Sequence, residues 1–407
     1  MKALKLLIVP FLLCRLHAEE SPSLESFIST NKQELFRLEA KKVESSSNML
    51  RDSWIAPIML QYSHGVSEAY DNKSTTKKTL IAIDQPIFQS GGIYFGIKFA
   101  EASRRYGNYS TDVAKRKLIK EALSLLTQIR QNDLKNKKQK LLIQNALINL
   151  EFKREQYLSG QLDSTFLDDA IIEQNRAKLA LLDIETQEQR LFSQLKVISD
   201  VEYETVVLPH IKLIDKKEFL QNNLLYNQAK SQSQKNYYEK NMSYSKYLPQ
   251  ISLNAAYNWD RIDNMNFGGQ SLGGPKERTT NYATYGFKIS VPININTLDD
   301  IETTRIEYLK SKIEVQDKQK EIEAMYEQVM QNIELFEKKI ILSKENQEIY
   351  EKLLKDTQEL FNAGYKTHYD VDLLRNSFLV QKLDVAILEY DKQLELLTLY
   401  EMVANEI

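Results

Sequence analysis

Strict alternation of apolar and polar residues distinguishes short segments from the rest of this chain. In residues 250–260, "QISLNAAYNWD", every second residue is apolar and the residues between are polar or small. Side chains on a strand point alternately to its two faces, so this pattern predicts a strand with one apolar and one polar face. The same analysis predicts four strands in two pairs, Trp54–Ser63 with Thr79–Phe88 and Leu248–Asp260 with Tyr282–Ile295, with residues 64–78 as a polar turn region.

Long helices are predicted after each pair of strands. Residues 87–157 contain no proline, and residues 299–363 contain neither proline nor glycine. At ~1.5 Å per residue, a helix of about 70 residues is about 100 Å long, which is unusual for one globular domain. Near the C-terminus, apolar residues recur at alternating spacings of four and three, as in a coiled-coil seam. These residues are Leu383, Ile387, Tyr390, Leu394 and Leu397.

The chain has the organisation of an internal duplication. The segment "SGQLDSTFLDDA" (Ser159–Ala170) resembles "AGYKTHYDVDLL" (Ala363–Leu374), and each is a glycine-bearing turn between two helical stretches. We therefore predict two structural repeats, residues 19–212 and 213–407. Each contains a helix, two strands, a long helix, a turn (near 160 and 364) and a further helix.

Charge and the N-terminal residues narrow the class of protein. Lys plus Arg total 54 and Asp plus Glu total 56, so no global positive field favours nucleic acid. Residues 1–18 have a basic start, an apolar stretch and a small residue at Ala18, which predicts a secretory signal peptide. The single cysteine, Cys14, lies inside that segment. We therefore expect an exported chain without disulfides.

Strand length and count favour a membrane barrel shared between subunits. Each predicted strand has about the ten residues of a tilted membrane strand, and four strands are too few to close a barrel. Three copies would supply twelve strands, although counting alone does not fix the number of copies. Aromatic residues of such strands gather at the membrane interfaces. The candidates here are Trp54, Trp259, Tyr257, Tyr285 and Phe287.

Four further segments occur in this order along the chain: "IDQPIFQSGG" (83–92), "YLPQISLNAAYNW" (247–259), "YGFKISVPIN" (285–294) and "LFNAGYKTHYDV" (360–371). In these segments the chain resembles the outer-membrane efflux proteins of the TolC family. The resemblance implies a mainly α protein with a β-barrel portion. Three chains would form a twelve-stranded outer-membrane barrel, four strands per chain, continued by a long α-helical coiled-coil tunnel.

The same resemblance implies a function and partners. The homotrimer would be the exit duct of a tripartite efflux or type I secretion system in a Gram-negative outer membrane, extending into the periplasm. A periplasmic adaptor protein and an inner-membrane pump, of the RND or the ABC type, would open the duct at its helical tip. The cargo is left open between drugs, metal ions and proteins.

Candidate gate residues follow the second turn. Asp370 lies six residues after Gly364, where family members with an acidic constriction carry an aspartate. Its alternative role is that of a helix N-cap. The second aspartate of that constriction corresponds to Leu373 here, and Asp372 is displaced by one residue. Asp168 and Asp169 of the first repeat are further candidates.

The two turns are the candidate contacts with the adaptor, as the resemblance implies. We name them the tip turns. They comprise Leu158, Ser159, Gly160 and Gln161 in the first repeat, and Ala363, Gly364, Tyr365 and Lys366 in the second.

Other functions find little support in the sequence. The histidines are scattered without the spacing of metal ligands, and no nucleophile with a partner base stands out. We expect no cofactor, no metal and no enzymatic activity. The strongest alternative is a periplasmic structural coiled-coil or adaptor protein without a membrane barrel, in which the alternating strands would contact protein instead of lipid.

Overall fold

A computed structural model describes residues 24–69, 72–263 and 277–403, and the predicted signal peptide lies outside these residues. The strands are β1 (Met59–Ala69), β2 (Asn72–Phe88), β3 (Gln250–Asp263) and β4 (Arg278–Ser290). The helices are α1 (Thr30–Arg51), α2 (Gly92–Leu158), α3 (Ser164–Ile198), α4 (Lys216–Gln221), α5 (Leu224–Lys246), α6 (Thr297–Asn362) and α7 (His368–Tyr400). The prediction of a mainly helical chain with a four-stranded β portion is confirmed.

The same element order occurs twice along the chain. The first series is α1, β1, β2, α2 and α3, and the second is α5, β3, β4, α6 and α7. The long helices α2 and α6 have 67 and 66 residues, so each is about 100 Å long. The division of the chain near residue 212 into two repeats stays a prediction.

The four strands form one antiparallel sheet in the order β1-β2-β3-β4. The central pairing joins the two series, with Ile81 opposite Tyr257 and Thr79 opposite Trp259. At the helical end of the sheet, Ser90 Oγ donates to the Pro249 carbonyl across 2.7 Å, which also joins the two series. β1 and β4 are the edges, and each pairs on one side only among the described residues.

The predicted bounds of the first strand pair are wrong. β1 begins at Met59 and not at Trp54, because Pro57 lacks a backbone donor and Gln85 holds the preceding segment. The Gln85 side chain accepts from Ala56 N at 3.0 Å and donates to the Trp54 carbonyl at 3.2 Å. Residues 64–78 are not a turn region, since β1 runs to Ala69 and β2 starts at Asn72.

The second strand pair lies close to its predicted position. β3 extends three residues beyond the predicted end at Asp260, and β4 begins four residues before the predicted start at Tyr282. β4 ends at Ser290 and not at Ile295, and Pro292 follows shortly after. A proline cannot donate to a strand ladder, which explains the early end.

The long helices pack against a different partner on each half. The half of α2 nearest the sheet contacts α1 and α5, with Ser47 Oγ donating to the Ala100 carbonyl at 3.0 Å. Its other half contacts α3 and α7, where Lys138 pairs with Asp384 at 2.6 Å. α6 likewise packs on α5 and then on α7. No helix among the described residues has both the length and the hydropathy needed to cross a bilayer.

The main apolar core lies where these partners change, about midway along α2 and α6. Its fully buried side chains include Phe27, Leu126, Phe219, Leu397 and Leu399. The irregular segment between α3 and α4 packs around this core. Arg130 of α2 donates hydrogen bonds to backbone carbonyls of this segment. The Arg130 guanidinium donates to the Tyr203 carbonyl at 2.9 Å and lies 5.0 Å from the Tyr203 ring centre.

Candidate functional site

One face of the sheet is mainly apolar between its helical end and Trp259, and we call it the apolar face. Cross-strand neighbours on it include Leu253 with Phe287 and Ala255 with Tyr285. Tyr285 is 88% exposed and Phe287 is 71% exposed, so no other part of the described chain covers them. Exposed apolar patches of this extent mark surfaces that contact protein or membrane.

The opposite face of the sheet is polar, and we call it the polar face. Asp84 of β2 lies opposite Asn254 of β3, and its carboxylate pairs with Lys288 of β4 at 2.8 Å. Asn258 and Asp260 continue this face toward the end of β3 away from the helices, and Asp260 lies opposite Lys78. The two faces therefore have opposite chemistry from the helical end of the sheet to the level of Trp259.

The aromatic residues predicted for the membrane interfaces lie at different levels. Trp259 is level with Tyr62, Thr79 and Asn281, near the end of the sheet away from the helices. Trp54 precedes β1 at the helical end, so the two tryptophans lie at opposite ends.

The other three aromatic candidates lie within the apolar face. Tyr257 is one cross-strand level nearer the helices than Trp259, Tyr285 lies in the middle, and Phe287 follows it toward the helices. Their assignment to an interface stays a prediction.

Both tip turns have the same backbone geometry. Gly160 and Gly364 have φ of 73° and 82°, in the left-handed region that favours glycine. In the second turn, Gly364 N donates to the Phe361 carbonyl and Tyr365 N to the Leu360 carbonyl, both at 2.9 Å. This pair of bonds is the Schellman motif, and the first turn repeats it. Residue 160 therefore corresponds to residue 364.

Asp370 lies in a capping box at the start of α7. Thr367 is the N-cap, and its backbone N–H donates to the Asp370 carboxylate at 2.9 Å. The Asp370 N–H donates in return to Thr367 Oγ1 at 3.3 Å. The N–H bond from Thr367 lowers the pKa of Asp370, helped by Lys366 at 3.7 Å. Asp370 is therefore an anion that also supports the cap, and sequence reasoning missed Thr367 as the cap residue.

The other candidate aspartates have different surroundings. Asp372 pairs with Arg375 at 2.7 Å, one turn along α7. With Gly160 matched to Gly364, Asp168 corresponds to Asp372 and Phe166 corresponds to Asp370. Asp168 and Asp169 are exposed on α3. The first repeat thus places no carboxylate at the position equivalent to Asp370.

The tip turns expose apolar and polar side chains together. Leu158 is 74% exposed and Tyr365 is 80% exposed. Ser159, Gln161, Ala363 and Lys366 are also exposed. These residues have little contact within the chain, which leaves them accessible to another protein.

A contact that the sequence does not reveal joins the two repeats near the tip turns. Tyr369 Oη donates to Glu155 Oε1 at 3.0 Å, and the Tyr369 ring meets Phe152 edge to face at 6.3 Å. The bond to Glu155 raises the pKa of Tyr369, so this hydroxyl keeps its proton at neutral pH. The contact links the end of α2 to the start of α7.

The fold is that of solved outer-membrane channels. The VceC protein of Vibrio cholerae shares 13% identity and a TM-score of 0.69, with 91% of this chain and 93% of that chain covered. CmeC of Campylobacter jejuni shares 9% sequence identity with a TM-score of 0.70, and the match covers 94% of this chain and 86% of CmeC. CusC shares 12% sequence identity with a TM-score of 0.69, and the match covers 92% of this chain and 89% of CusC. VceC is described as an outer membrane protein, CmeC as an outer membrane channel, and CusC as a protein that forms a transmembrane channel.

A sequence comparison matches part of the chain to a known family. Residues 217–405, just under half of the chain, match the model of the outer membrane efflux protein family. A search of curated protein sequences found no match. The chain is therefore similar to outer-membrane efflux proteins in this part of its sequence, and its described fold is similar to that of the solved outer-membrane proteins.

Proposed function

We propose that three copies of the chain form a passive exit duct, with twelve strands closed into one barrel. The observation that carries this proposal is a sheet with an exposed apolar face and two unpaired edges among the described residues. In lipid, an open edge leaves backbone donors and acceptors without partners, so the sheet has to close. Four strands are too few, and copies of the same chain supply the rest.

Apolar helix surfaces support the association of copies. Ile306, Leu309 and Ile313 of α6 are 54%, 44% and 65% exposed, although their spacing is that of a coiled-coil seam. Leu179 and Leu182 of α3 are also exposed. A neighbouring copy would cover these side chains and complete a helical tunnel below the barrel.

Closure of the duct at its periplasmic end is assigned to the tip turns. A threefold axis would bring three Asp370 carboxylates together, and a ring of carboxylates attracts cations and repels anions. The Tyr369–Glu155 contact holds α7 against α2 within each chain. Opening would separate these helices, and the energy for it would come from the partners.

The proposed partners are a periplasmic adaptor and an inner-membrane pump, which the match of residues 217–405 to the outer membrane efflux protein family supports. The exposed tip turns are the surface we assign to the adaptor. The duct itself performs no reaction, since its task is passage through a pore lined by the polar face. Cargo selection would then belong to the pump.

The rival function is a periplasmic coiled-coil or adaptor protein without a barrel. It requires another protein to cover the apolar face, since Tyr285 and Phe287 are exposed in the chain itself. Adjacent residues of β3 separate the two functions, because Leu253 lies on the apolar face and Asn254 on the polar face.

Single cysteines at these two positions test the proposal. In a variant without Cys14, Leu253→Cys should react with a lipid-soluble maleimide in outer membranes and resist a membrane-impermeant one. Asn254→Cys should show the reverse once the water-soluble reagent enters the pore. Equal reaction of both cysteines with the water-soluble reagent would exclude the barrel and favour the rival.

A further inference from the structure

We propose that the outer end of the sheet carries a binding site for the phosphate groups of an outer-leaflet glycolipid, with Lys77 as its main contact. The inference rests on the proposed barrel. The residues concerned lie on the apolar face just beyond the level of Trp259. We call them the distal cluster: His64, Lys77, Arg261, Asp263 and Glu277.

Strand register places this cluster on the lipid side. Tyr62, Thr79 and Trp259 are level with one another on the apolar face. Two residues further along each strand, His64, Lys77 and Arg261 form the next level on the same face. The alternation therefore continues, but its outward side chains change from aromatic to charged within one step.

The outward side chains change from aromatic to charged at a height on the sheet that fits the edge of the membrane's apolar core. From Ile251 to Trp259, β3 advances about 27 Å at ~3.4 Å per residue, and a tilt of about 40° reduces this to about 20 Å. That height is near the ~25 Å apolar band of outer-membrane barrels, and interface aromatics lie at its edges. The level of Lys77 and Arg261 is about 5 Å further out, where lipid headgroups lie.

The leaflet follows from the position of the helices. α1, α2, α5 and α6 all join the sheet at its other end, which is the periplasmic end. The distal cluster therefore faces the outer leaflet, whose lipid in such membranes is a phosphorylated glycolipid. Lysine and arginine side chains are long enough to place their charge at the headgroup while their stems stay on apolar surface.

Ion pairing within the cluster identifies Lys77 as the contact. Arg261 is bound closely by two carboxylates, Asp263 at 2.9 Å and Glu277 at 2.8 Å. Lys77 Nζ is 3.8 Å from Asp263, which is a weaker pairing. A phosphate therefore competes for Lys77 at a lower cost than for Arg261. The two carboxylates offset the charge of Arg261, which leaves Lys77 as the less closely paired cation of the cluster.

The neighbouring lysine is a matched control. Lys78 follows Lys77 in β2 and is opposite Ser63 and Asp260, so it lies on the polar face. The two residues have the same charge and the same depth along the strand, and they differ in the face they occupy. Lys77→Gln and Lys78→Gln therefore separate a lipid contact from a general effect of charge on the trimer.

The experiment measures lipid binding to the full-length trimer in neutral detergent by native mass spectrometry. Lipid A with both phosphates, dephosphorylated lipid A and inorganic phosphate are the three probes. We expect Lys77→Gln to weaken binding of bisphosphorylated lipid A about fivefold and Lys78→Gln to leave it unchanged. Lys77→Arg should restore binding. The dephosphorylated lipid should bind the wild-type trimer as weakly as bisphosphorylated lipid A binds Lys77→Gln, and inorganic phosphate should not compete.

Several results would overturn the site. Equal loss in both glutamine variants, or equal binding of the two lipids, would mean that Lys77 does not recognise phosphate. Competition by inorganic phosphate would mean a general anion site without lipid specificity. A conducting trimer with any of these results would refute the lipid site alone. A wild-type chain that forms no membrane trimer would instead refute the proposed function.

Discussion

At the scale of single residues, Asp370 is not the N-cap that the sequence left as its alternative role, because Thr367 is the N-cap and Asp370 is the N3 residue of the capping box. Its role as a gate stays a prediction. Its carboxylate accepts the N–H of the N-cap residue Thr367, and its charge faces solvent beside Lys366. The signal for the cap was present in the sequence as Thr367 and Asp370, three residues apart, which is the spacing of a capping box. The surroundings of the charge could not be read from sequence, since they depend on neighbouring copies.

Variants at these two residues separate the charge from the cap. Asp370→Asn should reduce the cation selectivity of the duct, measured as the reversal potential in a planar bilayer under a salt gradient. Thr367→Ala should leave that potential unchanged, while it destabilises the start of α7 by about 1 kcal/mol, measured by hydrogen exchange. Equal reversal potentials in wild type and Asp370→Asn would exclude the carboxylate as a gate.

The pH dependence of this site follows from the lowered pKa of Asp370. A carboxyl group with a lowered folded-state pKa stabilises the fold above its unfolded pKa, and the effect disappears as pH falls through the folded value. The bonds from Thr367 oppose protonation of Asp370, whereas repulsion among three carboxylates at the threefold axis would favour it. Thr367→Ala should therefore move the loss of selectivity to a higher pH than in the wild type, measured as the reversal potential over a pH series, and an identical pH profile would show that the cap does not set the pKa of Asp370.

At the scale of elements, the structure shows which strand bounds the alternation of apolar and polar residues predicts and which it does not. The apolar positions of β3 predicted that strand closely, because one face is apolar over most of its length. β1 and β2 were predicted too short, since beyond Tyr62 and Thr79 both faces carry polar residues and alternation disappears. The Gln85 contacts that hold Trp54 and Ala56 have no local signal, as the partners are about thirty residues apart.

The contact between α2 and α7 had no sequence signal either, because Glu155 and Tyr369 belong to different repeats. Tyr369→Phe removes the hydroxyl and keeps the ring against Phe152. We expect it to raise the open fraction of single channels roughly two- to tenfold, since a net hydrogen bond contributes about 0.5–1.5 kcal/mol.

Tyr157→Phe is the control for this variant, because Tyr157 lies on α2 outside the tip turns, is 42% exposed, and its hydroxyl has no hydrogen bond among the described residues. It should leave the open fraction at the wild-type value. An unchanged open fraction in Tyr369→Phe would show that the contact does not contribute to closure.

At the scale of the whole molecule, the chain is incomplete as a membrane protein on its own. Among the described residues, the sheet has two unpaired edges, and nothing covers the side chains of Ile306, Leu309 and Ile313. Sequence reasoning reached the need for copies by counting strands, and the structure adds the surfaces at which the copies would meet. The match of residues 217–405 to the outer membrane efflux protein family is consistent with both.

Imaging of single particles tests the central claim most directly. The protein would be extracted from outer membranes in mild detergent and examined by electron microscopy. We expect a threefold cylinder well over 100 Å long, with a detergent belt around one end. A rod without a belt, or a particle without threefold symmetry, would contradict the duct and mean that the apolar face of the sheet contacts protein instead of lipid.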